Sequence, residues 1–143
     1  MPDIYVACAM SSLPPEEYES FRHIVLSVCD ALRSKGHKPY SKPFEVSGED
    51  FDSPPEAMKE NLHALDNVSS LVLLYTSKEA TSALIEVGYA LKRGIPIVVF
   101  AQEGIRLPFY LRASNDSPHT SDTITIHTFA SVDELPAVVA QTF

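Results

Sequence analysis

Three short runs, residues 4–9, 71–75 and 95–100, are apolar at successive positions and rich in Val, Ile and Tyr. A strand with one wet face alternates apolar and polar residues, whereas a strand apolar on both faces must be covered on both. These runs therefore predict central strands sandwiched between two layers of helices, which excludes a half-solvated sheet or a helical bundle. The segments between them carry helical periodicity. Over residues 15–34, Tyr18, Phe21, Val25, Val28 and Leu32 recur every three or four positions as a core stripe, with Gly36 as the stop. A second helix opens at Ser53-Pro54-Pro55-Glu56, read as a capping box with proline at the first helical position, and carries Met58, Leu62 and Leu65 inward to about residue 66. A third runs over about 82–93, stopped by Gly94, with Pro96 just inside the next strand.

A short strand near 37–40, a last strand over 123–128 and a last helix over 132–140 complete a strictly alternating order. Such alternation requires right-handed crossovers and a mostly parallel sheet. The expected fold is α/β: a single three-layer flavodoxin-like or Rossmann-like domain over residues 1–143 with five strands. Residues 101–122 hold Gly104, Pro108, Asn115, Asp116 and Pro118 and read as a long irregular connection with one helical turn near 109–113. Connections of that length are more often functional than idle.

Charge narrows the ligand. The 143 residues hold 19 Asp and Glu against 11 Lys and Arg, a formal charge of -8. No broad phosphate-neutralising surface is expected, so nucleic acid is a poor partner and a small molecule a better one. No apolar run approaches the roughly 18 residues of a membrane span, and the start has no basic n-region, so a cytoplasmic protein is expected. Cys8 and Cys29 make no disulfide framework, and the five His stand at no metal-ligand spacing. Neither a metal nor an organic cofactor is expected.

In an open parallel sheet the ligand crevice lies beyond the carboxyl ends of the strands, here residues 9–13, 44–52, 76–82 and 101–106. None carries GxGxxG, GxxxxGK[ST] or GxSxG, which argues against a dinucleotide dehydrogenase, a nucleoside triphosphatase and an esterase elbow. What stands out is Glu86. On the third helix Ala83, Leu84, Val87, Ala90 and Leu91 form the buried arc, and Glu86 falls at its edge in the expected first turn, at the mouth of the crevice. The helix pattern alone leaves two readings open: a carboxylate interacting with the helix dipole, or a reactive group.

Ile4-Tyr5-Val6-Ala7, residues 70–75, Leu84-Ile85-Glu86-Val87-Gly88-Tyr89-Ala90-Leu91 and Gly94-Ile95-Pro96-Ile97-Val98 together resemble the nucleoside 2-deoxyribosyltransferase family and its nucleotide N-glycosidase relatives, in order over the first hundred residues. The resemblance implies that Glu86 is a nucleophile at the anomeric carbon, that Tyr5 hydrogen-bonds and orients it, and that Gly88 lets the helix lie close to the sheet. An oxocarbenium-like transition state needs such a carboxylate beside it. The chain also departs from the family pattern. Leu62 stands where an acidic base-reading residue is usual, with Asn61 and Asp66 the nearest polar candidates. Ala80 stands at a second acidic position, next to Glu79, and Thr81-Ser82-Ala83 replaces a glycine-threonine turn.

The same residues resemble TIR domains, whose enzymatic members cleave NAD with a similarly placed helix Glu. Ser77 and Ser82 fit that pattern, and the aromatic residue before the Glu does not, since Ala83 and Leu84 stand there. A non-catalytic module that binds a nucleotide-derived signal is the third reading, motivated by Leu62 and Ala80.

Other residues carry open alternatives. Met10 could line the pocket. Ser11 and Ser12 could donate to a ribose or phosphate, or cap the first helix. Arg106, Arg112 and His119 could meet a phosphate or be solvated, Phe44, Phe51, Phe109 and Tyr110 could stack on a base or pin their loops, and Asn115 is undecided. Apolar residues beyond the core stripe, such as Ile24, together with the resemblance, lead to an expected homo-oligomer. The helix dipole and Tyr5 are expected to keep Glu86 charged against partial burial, and Glu79 or Asp66 to supply a proton to the leaving group.

Overall fold

The computed structural model describes residues 1–8, 13–41, 44, 53–76, 81–112 and 123–143. Met10, Ser11, Ser12, Phe51, Ser77, Glu79, Ala80, Asn115 and His119 lie outside the described residues. Five strands, β1 (Ile4–Cys8), β2 (Pro39–Tyr40), β3 (Ser70–Tyr75), β4 (Ile97–Gln102) and β5 (Ile124–Phe129), form one sheet in the order β2-β1-β3-β4-β5. All four pairings are parallel. The five parallel strands are those expected from the alternation, and their order is the flavodoxin-like one. Strand order reverses between β1 and β3, and ligands of such sheets bind at that switch point.

The helices are α1 (Pro15–Ser34), α2 (Pro54–Asn67), α3 (Thr81–Arg93), α4 (Phe109–Arg112) and α5 (Leu135–Thr142). Strand alternation divides the core into two layers. Ile4, Val6, Val72, Leu74 and Phe100 pack with the α1 stripe Tyr18, Phe21, Val25, Val28 and Leu32 and with Leu135 and Val139 of α5. Tyr5, Ala7, Leu71, Leu73, Tyr75, Val99 and Ala101 pack on the other face with Ala64 and Leu65 of α2 and Ala83, Val87 and Ala90 of α3. Each fully buried Leu or Ile contributes about 1.5–3 kcal/mol relative to exposure, so double-sided burial is what the apolar runs encode. No helix among the described residues is long and apolar enough to cross a membrane.

Several local expectations are corrected. Ser53 is the N-cap of α2 but its side chain makes no capping bond. Pro54 and Pro55 have no N–H, and the cap is closed by the backbone instead, with Ala57 N–H donating to the Ser53 carbonyl at 3.0 Å. A reciprocal capping box forms at Ser131 and Glu134, ahead of α5. Met58 is exposed, while Leu65 is buried and Leu62 packs at the core edge. Pro96 precedes β4, where its carbonyl accepts from the Leu71 N–H. Phe44 is buried in the α1 layer, and its carbonyl accepts from Arg22. Phe109 and Tyr110 are exposed.

Gly94 ends α3 at φ +72°, with its N–H donating to the Leu91 carbonyl and Ile95 N–H to the Ala90 carbonyl, the paired bonds of a Schellman turn. A Cβ at Gly94 would meet nothing within 4 Å, so the cost of a side chain there is conformational alone. Gly94→Ala is expected to destabilise by about 1–2 kcal/mol, read as a melting temperature lower by about 3–7 °C. An unchanged melting temperature would contradict this reading.

Candidate active site

Tyr5, the second residue of β1, points to the α2–α3 side and is buried. Its hydroxyl faces the carboxyl of Glu86 closely enough to interact with it. The pair thus joins the first strand to the helix that follows β3, across the switch point. Burial, the Glu86 charge and this interaction hold the Tyr5 phenol far above its ordinary pKa. It remains a protonated donor at every working pH, so Glu86 is the acceptor.

Glu86 is half-buried and is the sixth residue of α3, in the second turn and not the first. The dipole acts mainly within the first turn, which removes one of the two effects expected to keep the carboxyl ionised. Desolvation wins: Glu86 is pushed up from 4.5 to about 7, against the downward pull of the Tyr5 hydroxyl. The expectation of a fully charged carboxylate at neutral pH is corrected accordingly. The Cys8 thiol is likewise held well above its ordinary range by burial and then by the Glu86 charge. Neither cysteine is in a disulfide.

Tyr40 completes the array and was not singled out in the sequence. Parallel pairing sets Tyr40 directly beside Tyr5, and the two rings stack with centroids 5.3 Å apart and planes inclined by 20°. The Tyr40 hydroxyl donates to Asn61 Oδ1 of α2 at 3.1 Å. Asn61, Tyr40, Tyr5 and Glu86 therefore form one continuous set of contacts on a single sheet face. The signal that could have found Tyr40 was its place in the short strand expected near residues 37–40.

Other candidates fall elsewhere. Ser82 is exposed in the first turn of α3. Asp66 is exposed and accepts from the Tyr89 hydroxyl. Gly88 does not bring the helix to the sheet: it is exposed, and a Cβ there would meet nothing within 4 Å. The Arg112 guanidinium lies over the Phe109 ring, 5.7 Å from its centroid.

A groove of about 420 Å³ opens at the carboxyl edge, with Phe21 and Ile24 of α1, Thr76, Gln102 and Val132 among its walls. Tyr75 and Ala101 face the α2–α3 layer, so Thr76 and Gln102 face the opposite way. The groove and the Glu86 pair thus occupy opposite faces of the sheet. Among the described residues no cluster of three or more His, Cys, Asp or Glu could hold a metal ion.

No family model matches the chain, and no curated protein matches it in sequence. Solved structures share its fold. One is a CMP N-glycosidase from Clostridium botulinum, BcmB, at TM-score 0.68 and 17% identity over 97% of this chain and 99% of that one. Another is a conserved protein from Enterococcus faecalis V583, at TM-score 0.57 and 15% identity over 100% and 99%. At these identities the likeness is one of fold.

Proposed function

We propose that the chain cleaves the base–sugar bond of a nucleoside or nucleotide, passing the sugar to water or to a second base, with Glu86 as nucleophile and Tyr5 as the residue that positions it. The observation that carries the reading is the pairing of the Glu86 carboxyl with the Tyr5 hydroxyl at the switch point. The fold shared with a protein described as a CMP N-glycosidase supports it.

In the first step a Glu86 carboxylate oxygen attacks the anomeric carbon as the C–N bond breaks. The base leaves with the electron pair of that bond and takes up a proton. In the second step water, or the ring nitrogen of another base, attacks the same carbon, Glu86 departs as carboxylate, and the surplus proton goes to solvent. Positive charge grows on the sugar in both transition states. A carboxylate in a desolvated place opposes that charge more strongly than one in water, so the burial that raises its pKa also strengthens it as a stabiliser. Glu79, which lies outside the described residues, and Asp66 are the candidate donors to the leaving base.

Only ionised Glu86 can attack. With its pKa near 7, the acid limb of kcat/KM is expected to rise with pH through about 7. An acid limb at the ordinary Glu value near 4 would contradict the burial argument.

The test is a panel of ribo- and deoxyribonucleosides, their 5′-monophosphates and NAD, with free base quantified by chromatography. Release from at least one nucleoside or nucleotide supports the proposal, and release from NAD alone favours the TIR-like reading. Leu62 and Ala80 at the two positions where an acidic residue is usual favour the non-catalytic alternative. Saturable binding with the ligand recovered intact would establish that alternative in place of catalysis.

A further inference from the structure

The groove at the carboxyl edge opens on the α1–α5 face of the sheet and has no part in the Glu86 chemistry on the other face. Its floor is apolar. Leu13, Phe21, Ile24 and Val132 line it at the margin of the α1 core layer, with Phe21 buried and the other three half-buried. A volume of about 420 Å³ is that of a small-molecule pocket, and such a floor suits an apolar ligand body.

Charge selects the ligand. Glu16 and Glu17 of α1 stand on one wall, and Asp133, in the turn ahead of α5, stands on another. Thr76 and Gln102, at the carboxyl ends of β3 and β4, add neutral acceptors. Among the described residues of the walls there is no Lys, Arg or His. Nor does a cation among the described residues pair with the three carboxylates, since Arg22, further along α1, is engaged by Glu19 and the Phe44 carbonyl. The start of α1 supplies only about half a positive charge, too little to reverse three full negative ones. The groove therefore repels a phosphate and attracts an organic cation. Negative charge on two walls, with an apolar floor between them, matches a ligand that is charged at its ends and apolar in its middle.

We propose that this groove is a binding site for a linear polyamine, with ammonium groups at Glu16, Glu17 and Asp133 and the methylene chain over Phe21, Ile24 and Val132. The ends donate charge-assisted hydrogen bonds to the carboxylates, and each methylene removed from water adds about fourfold in affinity. The site uses neither Glu86 nor Tyr5, so it stands or falls separately from the N-glycosidase reading.

Spermidine titrated by calorimetry is the probe. Physiological ionic strength is needed, because it screens the general attraction of a chain of formal charge -8 for any cation. Saturable binding of one molecule per chain is expected. Glu17→Gln/Asp133→Asn is expected to weaken it about tenfold. Asp30→Asn/Glu56→Gln removes the same charge from exposed positions outside the groove and is expected to leave binding unchanged. Magnesium ion offers charge without a chain, and the uncharged diol of equal chain length offers a chain without charge, so each is expected to bind at least about tenfold more weakly than spermidine. Thermal melts show whether the double variants fold, and Glu16→Gln alone, expected to weaken binding about threefold, gives the same reading if the first does not. No saturable binding of spermidine, equal weakening by the groove variant and the control variant, or magnesium ion or the diol binding as tightly as spermidine overturns the proposal.

Discussion

Glu86→Gln is expected to lower base release by at least about a thousandfold, equivalent to about 4 kcal/mol of lost transition-state stabilisation, while making the folded protein more stable at pH 8. The two effects have one origin. Gln keeps the shape of the side chain and still meets the Tyr5 hydroxyl, but it offers neither a nucleophilic oxygen nor a negative charge to the oxocarbenium-like sugar. For stability, the folded-state pKa of Glu86 is raised from 4.5 to about 7, so the folded chain holds this proton more tightly than the unfolded chain does. The stability contributed by the protonated form is fully present below about pH 4.5 and is lost as pH rises through about 7. Above that window the ionised carboxylate costs on the order of 2–3 kcal/mol after allowance for its partial exposure. Gln carries no such cost, so the variant is expected to melt several degrees above the wild type at pH 8 and close to it at pH 4. A variant less stable than the wild type at pH 8 would contradict the burial argument, whatever its activity.

Tyr5→Phe is expected to lower the turnover number by about a hundredfold, on the order of 3 kcal/mol in the barrier, with the Michaelis constant little changed. Tyr5 faces the carboxyl, and the lost interaction orients the nucleophile without gripping the substrate. The phenyl ring remains to stack on Tyr40, so the β1–β2 contact is preserved. Removing the hydroxyl also removes the one interaction that pulls the Glu86 pKa down, so the acid limb of the pH profile is expected to move to higher pH. A merely structural role for Tyr5 would not move that limb. A raised Michaelis constant with unchanged turnover would make Tyr5 a pocket wall.

The layers were legible in the sequence because burial on two faces leaves a direct trace: strands without polar alternation, and helices with one stripe. Residues 15–34 show this well, since the apolar spacing, an early proline and Gly36 all bear on the bounds that α1 adopts. Glu86 was legible as a polar residue at the rim of an apolar arc. What single-chain periodicity does not hold is register. Tyr40 enters the site only because parallel pairing places it opposite Tyr5, and nothing in the spacing between residues 5 and 40 encodes that. Nor did the pattern hold the balance of forces on Glu86. Glu86 lies beyond the first turn whether α3 is counted from Ser82 or from Thr81, and desolvation dominates there. Met58 failed for a related reason: a helix of fourteen residues against one sheet face buries a narrower arc than its apolar residues occupy.

Covalent participation of Glu86 is tested most directly by the configuration of the sugar first released from a β-nucleoside substrate, followed by proton NMR before the anomers equilibrate. Attack by Glu86 and then by water inverts the anomeric carbon twice, so the β-anomer is expected first. First appearance of the α-anomer would mean that water displaces the base in one step, and would contradict Glu86 as the nucleophile.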